Sequence, residues 1–119
     1  MHSPAALSQA FKLKAAALRD VVSPYLPGDL RMGMMLLEAM TPEAMTAAFH
    51  EHVAVPYSDR IRARDAAFFM TDDALSADPT LAALKAAWAG LPPDGKADVW
   101  ALMPLLCGIS KRYAEASTA

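Results

Sequence analysis

Three groups of side chains have the types and spacing to do chemistry: the triplet His50-Glu51-His52, the aspartates Asp65, Asp72, Asp73 and Asp78, and the arginines Arg60, Arg62 and Arg64. On a helix the two histidines of the triplet stand about 200° apart, so they cannot grip one ion together; the zinc-protease pair needs a spacing of four. A metal site would have to recruit distant ligands such as His2, Asp72 or Asp73, from a chain with 3 histidines and 1 cysteine. No metal or other cofactor is expected on that basis. The aspartates could work as paired acid and base, but nothing fixes them beside a nucleophile. Carboxylates around a helix exit usually cap it or stay solvated. The Asp-rich loop also lacks the alternating ligands and the glycine of a calcium-binding hand, and no Gly-rich phosphate loop occurs. The chain is therefore expected not to be an enzyme.

The arginines are the best basic cluster. On a helix Arg60 and Arg64 share a face at a spacing of four, with Tyr57 and Phe68 close by. That suits phosphate binding with base stacking, helped by Lys12 and Lys14. Against it, Asp59 and Asp65 flank the cluster and cancel much of its field, so local salt bridges are the preferred use. Tyr57, Ile61 and Phe68 define an apolar face, yet its intermediate positions are Arg64 and Asp65. A charged couple on a core-facing side must be paired or must meet a partner, because unpaired burial is costly. The alternative is a rotated stripe, Ile61 with Phe68 and Phe69, that leaves both charges at the rim. Tyr57, Arg60, Arg64, Asp65 and Phe68 are the expected partner-binding residues.

Cys107 lies in the apolar run ALMPLLCGI with no cationic neighbour and reads as an inert buried thiol. Met32, Met34, Met35 and Met40 read as adaptable core filler, since a copper site would want histidine or cysteine alongside.

These residues need elements to hold them. Ser3-Pro4 and Thr41-Pro42 each place a capping hydroxyl before a proline at the first helical position. After Ser3, the residues Leu7, Phe11, Ala15, Leu18 and Val22 fall on one helical face. Pro24 and Pro27-Gly28 close that helix. Asp29 is a candidate cap for LRMGMMLLEAM, whose apolar residues run nearly all round, which predicts a central position. A third helix carries Met45, Phe49 and Val53 until Pro56 interrupts it, and a fourth runs from about Tyr57 to Met70. Asp78-Pro79 starts a fifth, striped by Leu81, Leu84 and Trp88, with Gly90 as its C-terminal cap. Asp94 can cap the last helix, lined by Val99, Leu102, Met103, Leu106, Ile109 and Tyr113, with a kink or break at Pro104 and a fraying tail, AEASTA. No strand pattern survives.

Composition bounds the rest. A chain of 119 residues can bury one core as one domain. Hydrophobic residues make up 55% and charged residues 20%, but no apolar run approaches the roughly 20 residues needed to span a bilayer. Met1 to Ala10 lacks a secretory signal, and a single cysteine fits a reducing compartment, so an intracellular soluble protein is expected. The net charge of −2 gives no global attraction to nucleic acid or acidic membranes.

PYSDRIRARDAAFFM, LKAAW and KADVWALMPLLCGISKRY together resemble small helical proteins encoded by large double-stranded DNA viruses of algae and protists. The similarity spans about residues 50 to 113. It rests on acidic residues and an isoleucine ahead of Phe68-Phe69, on Trp88, and on Lys96 with Trp100. The resemblance implies a viral or virus-derived origin and carries no functional residue with it.

The expected fold is an all-α bundle of five to six helices, the C-terminal helix central and Trp88 and Trp100 near the middle of the core. The expected function is a non-enzymatic protein-binding role, such as a virion-associated accessory. Local nucleic-acid binding is the alternative, and a ligand-binding bundle with a pocket lined by Met35 and Met103 the third reading.

Overall fold

Hydroxyl caps start the chain as the sequence predicts. Ser3 Oγ accepts a hydrogen bond from the Ala6 N–H at 3.1 Å, and Thr41 Oγ1 accepts from the Ala44 N–H at 3.1 Å. Behind these caps run α1 (Pro4–Val22) and α3 (Pro42–Phe49), each with proline in its first turn. The computed structural model describes residues 3–71 and 79–118, with side chains for all of these except residues 33, 34, 36, 37, 71, 79 and 80. Between α1 and α3 lie a short 3-10 turn (Ser23–Tyr25) and α2 (Gly28–Glu38). After α3 come a π turn (His50–Ala54), α4 (Val55–Arg62), α5 (Ala66–Thr71), α6 (Pro79–Trp88) and α7 (Pro93–Thr118). The fold is an all-α bundle, and no strand occurs among the described residues. Its Cα radius of gyration, 13.6 Å, is that of a compact chain of this length.

The C-terminal helix is central. It packs along α1 over the greatest length and also against α3, the π turn and α4. Phe11, Val22, Val53, Ile61 and Leu106 are all at most 2% exposed and form the middle of the core. Small hydroxyl residues let these helices approach closely, and each satisfies itself on its own helix. Ser8 donates to the Ala5 carbonyl at 2.9 Å, Thr46 to Pro42 at 2.7 Å and Ser110 to Cys107 at 3.0 Å.

Several expectations are corrected. Pro56 does not interrupt its helix: α3, the π turn and α4 form one uninterrupted rod. Proline donates no N–H and its ring presses on the carbonyl four residues back. Here the Val55 N–H reaches the His50 carbonyl, five residues back, so the register shifts by one just ahead of the ring. Pro104 does not break α7 either: the helix runs through it from Pro93 to Thr118. The tail stays helical to Thr118, whose hydroxyl bonds the Ala114 carbonyl at 3.1 Å.

The Met-rich α2 is peripheral, not central. It leans mainly on α6, and Met32 and Met35 stand 65% and 68% exposed, because α1 and α3 already occupy the sides of α7. The Met34 side chain, like His2, Asp72, Asp73 and Asp78, lies outside the described residues. Trp88 and Trp100 are half-buried at the core's edge, edge-to-face at 5.4 Å. Asp29 and Asp94 sit inside the first turns of α2 and α7, where a carboxylate suits the helix dipole, rather than before them. Gly90 has no positive φ and so is no left-handed cap. A Cβ there would stand 3.3 Å from Tyr25 Cδ1, so the position accommodates close approach of that ring. Among the described residues no helix is long and apolar enough to cross a membrane.

Candidate functional site

The expected helix from Tyr57 to Met70 is bent in two at Ala63–Asp65. The bend has the hydrogen bonds of a Schellman closure. The Arg64 N–H bonds the Ile61 carbonyl at 3.1 Å and the Asp65 N–H bonds the Arg60 carbonyl at 3.1 Å. That closure requires a left-handed residue at its apex, and glycine is the usual choice. Here it is Arg64, at φ 53°, the one non-glycine residue with positive φ among the described residues.

The bend changes what each charge does. Asp65 leaves the apolar face and caps α5, its Oδ1 accepting from the Phe68 N–H at 3.2 Å. Its Oδ2 accepts from Arg60 Nη1 at 2.7 Å. The Arg60 guanidinium, then the Phe68 N–H, hold the Asp65 carboxyl below its ordinary range. Arg60 also lies over the Phe68 ring, 4.5 Å from its centroid, a cation–π contact. Arg62 pairs with Asp59 at 2.7 Å on the exposed side of α4. Arg64 is exposed and has no ion-pair partner among the described residues.

Ile61 anchors the elbow in the core at 1% exposure, and a run of rings continues from it. Tyr57 lies 6.0 Å from Phe68, Phe68 5.4 Å from Phe69, and Phe69 6.5 Å from Trp100 on α7. The structure thus gathers Tyr57, Arg60, Asp65 and Phe68 into one cluster. Arg64 stands at its apex but outside its internal bonds. The charged couple is separated: Asp65 is half-buried and paired, Arg64 exposed.

The pocket expected between Met35 and Met103 is not formed. Met35 points to solvent, whereas Met103 is buried and lines a cavity of about 30 Å³ with Ile61, Phe69, Met70, Trp88 and Trp100. That is room for about one water. Among the described residues no three His, Cys, Asp or Glu side chains are grouped to hold a metal ion. Cys107 is buried as expected, but it does have a cationic neighbour: burial, the larger effect, pushes its thiol up to about 11 against the opposing charge of Arg62.

Sequence reasoning missed a second concavity. A groove of about 350 Å³ opens between the rod and α7, lined by His50, Ala54, Val55, Ser58, Arg62, Pro104, Cys107, Gly108 and Lys111. Its signal in the sequence was the pair of prolines, Pro56 and Pro104, inside otherwise helical patterns. Comparison with protein-family models, curated proteins and solved structures finds no match.

Proposed function

We propose that this is a non-enzymatic protein-binding module whose working surface is the α4–α5 elbow, with Tyr57, Arg60, Arg64, Asp65 and Phe68 as the contact residues. The observation that carries the reading is Arg64. A non-glycine residue in the left-handed region costs of order 1–3 kcal/mol, and such residues concentrate at ligand clamps and switches. Glycine would close the turn at lower energy. The arginine side chain gains nothing within the fold to offset this, since it is exposed and unpaired among the described residues. Beside it, a half-buried tyrosine and phenylalanine and a braced arginine supply the residue types enriched in interface hot spots, already fixed in position.

The partner chemistry that fits is a protein surface presenting a carboxylate to Arg64 and an apolar side chain to the Tyr57–Phe68 edge. Nucleic acid fits less well: Arg60 and Arg62 already face Asp65 and Asp59, which leaves Arg64 as the uncompensated arginine of the three.

The test compares affinity purification by the wild type, Arg64→Gly and Arg64→Glu from cells that express the protein. A partner held by the wild type, released about tenfold faster by Arg64→Gly and lost by Arg64→Glu supports the site. Equal retention by all three would discard it.

A further inference from the structure

The groove between the rod and α7 carries an inference independent of the elbow. Two irregularities of helical backbone meet on it. One wall is the π turn with the start of α4, contributing His50, Ala54, Val55, Ser58 and Arg62; the other is the stretch of α7 around Pro104. Such π turns concentrate at functional sites. At about 350 Å³ the space falls in the range of small-molecule sites, whereas a packed bundle ordinarily closes such gaps with side chains. It is unfilled over Gly108 in particular, where a Cβ would meet nothing within 4 Å.

The chemistry of the lining is asymmetric. Ala54, Val55, Pro104 and Cys107 give an apolar wall, and the protonated Cys107 thiol belongs with them. Lys111 and Arg62 are positive. Arg62 is shared with Asp59, while Lys111 has no ion-pair partner among the described residues. No carboxylate lines the groove. His50 lines the groove without its Nδ1 open to it. That atom is buried and has no hydrogen-bond partner among the described residues. A buried polar atom without a partner costs about 1–3 kcal/mol, but this nitrogen is closed off from the groove and offers a ligand nothing.

We infer that this groove binds a small organic anion, a monocarboxylate with a compact apolar body. Its carboxylate would lie at Lys111 and Arg62, and its chain along Ala54, Val55 and Pro104. A single negative charge is matched by Lys111 with the part of Arg62 that Asp59 leaves uncompensated. Scaling from cavities of about 150 Å³ that take benzene, the space suits about 10–14 non-hydrogen atoms.

Octanoate is a probe of that size, and octanol is its uncharged counterpart. Titrated into the full-length protein and followed by amide chemical shifts, octanoate should give saturable shifts at His50, Val55, Cys107, Gly108 and Lys111. Octanol should bind about tenfold more weakly or worse. Lys111→Met removes an exposed charge and should weaken octanoate about tenfold; Gly108→Leu fills the groove from an open helical position and should abolish binding, with both variants keeping the wild-type circular dichroism. Absence of saturable shifts at these residues up to about 10 mM octanoate, near the weak end of small-ligand affinity, overturns the inference. So does octanol binding as well as octanoate, or Gly108→Leu binding like the wild type.

Discussion

Replacing Arg64 with glycine should make the protein more stable. Arg64 holds φ 53°, and a left-handed conformation costs an L-residue roughly 1–2 kcal/mol that glycine does not incur. Against this, glycine loses more backbone freedom on folding, about 0.5–1 kcal/mol relative to alanine. The two hydrogen bonds that close the turn, from the Arg64 and Asp65 N–H groups, are backbone bonds and survive the change. The lost side chain is exposed and unpaired among the described residues, so no contact term opposes the gain. The net is a stabilisation of about 0–1.5 kcal/mol, centred on about 0.75, which for a domain of this size raises Tm by about 2–5 °C at its centre. Urea unfolding and thermal melts followed by far-UV circular dichroism measure both quantities. Arg64→Ala separates the causes: it removes the same side chain but keeps the left-handed cost, so it should not share the gain. If the glycine variant is no more stable than the alanine variant, the turn is not held under the strain argued here, and the case for the elbow as a binding site loses its main support.

Other consequences can be checked on the same instruments. The folded-state carboxyl of Asp65 is held below its unfolded value, so the stability it contributes is present above about pH 4 and lost as pH falls through the depressed folded value; Asp65→Asn, which can still cap α5, should flatten that part of the pH–Tm profile. Phe11 is 2% exposed and packs edge-to-face on Phe49 at 5.1 Å, so Phe11→Ala should cost about 3–5 kcal/mol by urea titration. Gly108→Ala should stabilise by about 0.5–1 kcal/mol, because α7 gains a helix former in open space. Gly95→Ala should not, since its Cβ would stand 3.1 Å from Leu91 Cδ2 and 3.3 Å from Pro92 Cδ.

The fold class was legible because the chain states it repeatedly in short-range terms. The caps at Ser3 and Thr41, the stripe Leu7–Phe11–Leu18–Val22 and the buried face Val99–Met103–Leu106 each follow from local pattern, and the structure uses each as written. What local pattern could not rank is competition between helices. The Met-rich segment is as apolar as a central helix, but α7 is longer and has two faces covered by α1 and the rod, so α2 is left at the edge. The candidate site was half legible for the same kind of reason. Tyr57, Arg60, Asp65 and Phe68 do meet, through the predicted local ion pairing. One continuous helix leaves two readings, Arg64 and Asp65 on the core face or a rotated stripe of Ile61, Phe68 and Phe69 with both at the rim. The structure buries Ile61 and Phe69, and the Schellman turn puts Arg64 in solvent. Pro56 and Pro104 mark the groove only once the helices that carry them are known to face each other, because its two walls are separated by about half the chain and its polar members are unremarkable in sequence.

The three places where local rules fail are not scattered. The π turn and Pro56 begin α4, Arg64 follows its end, and Pro104 lies across the groove from its first turns. Each carries a local cost: a missing donor, a shifted register or a left-handed arginine. A bundle this size could shed those costs by single substitutions, Pro56 or Pro104 to alanine or Arg64 to glycine, without touching Phe11, Val53 or Leu106 at the centre of the core. Sequences generally agree with their folds at every level except where function asks otherwise. The conflict is confined to one eight-residue helix and the surface it faces, so, if the elbow and the groove bind as proposed, α4 is where binding and stability compete in this protein. Its two sides are then separable. Arg64→Gly should act on the elbow and leave octanoate binding in the groove unchanged, whereas Gly108→Leu should close the groove and leave partner retention at the elbow intact. If either substitution disabled both sites, the two would be one coupled surface.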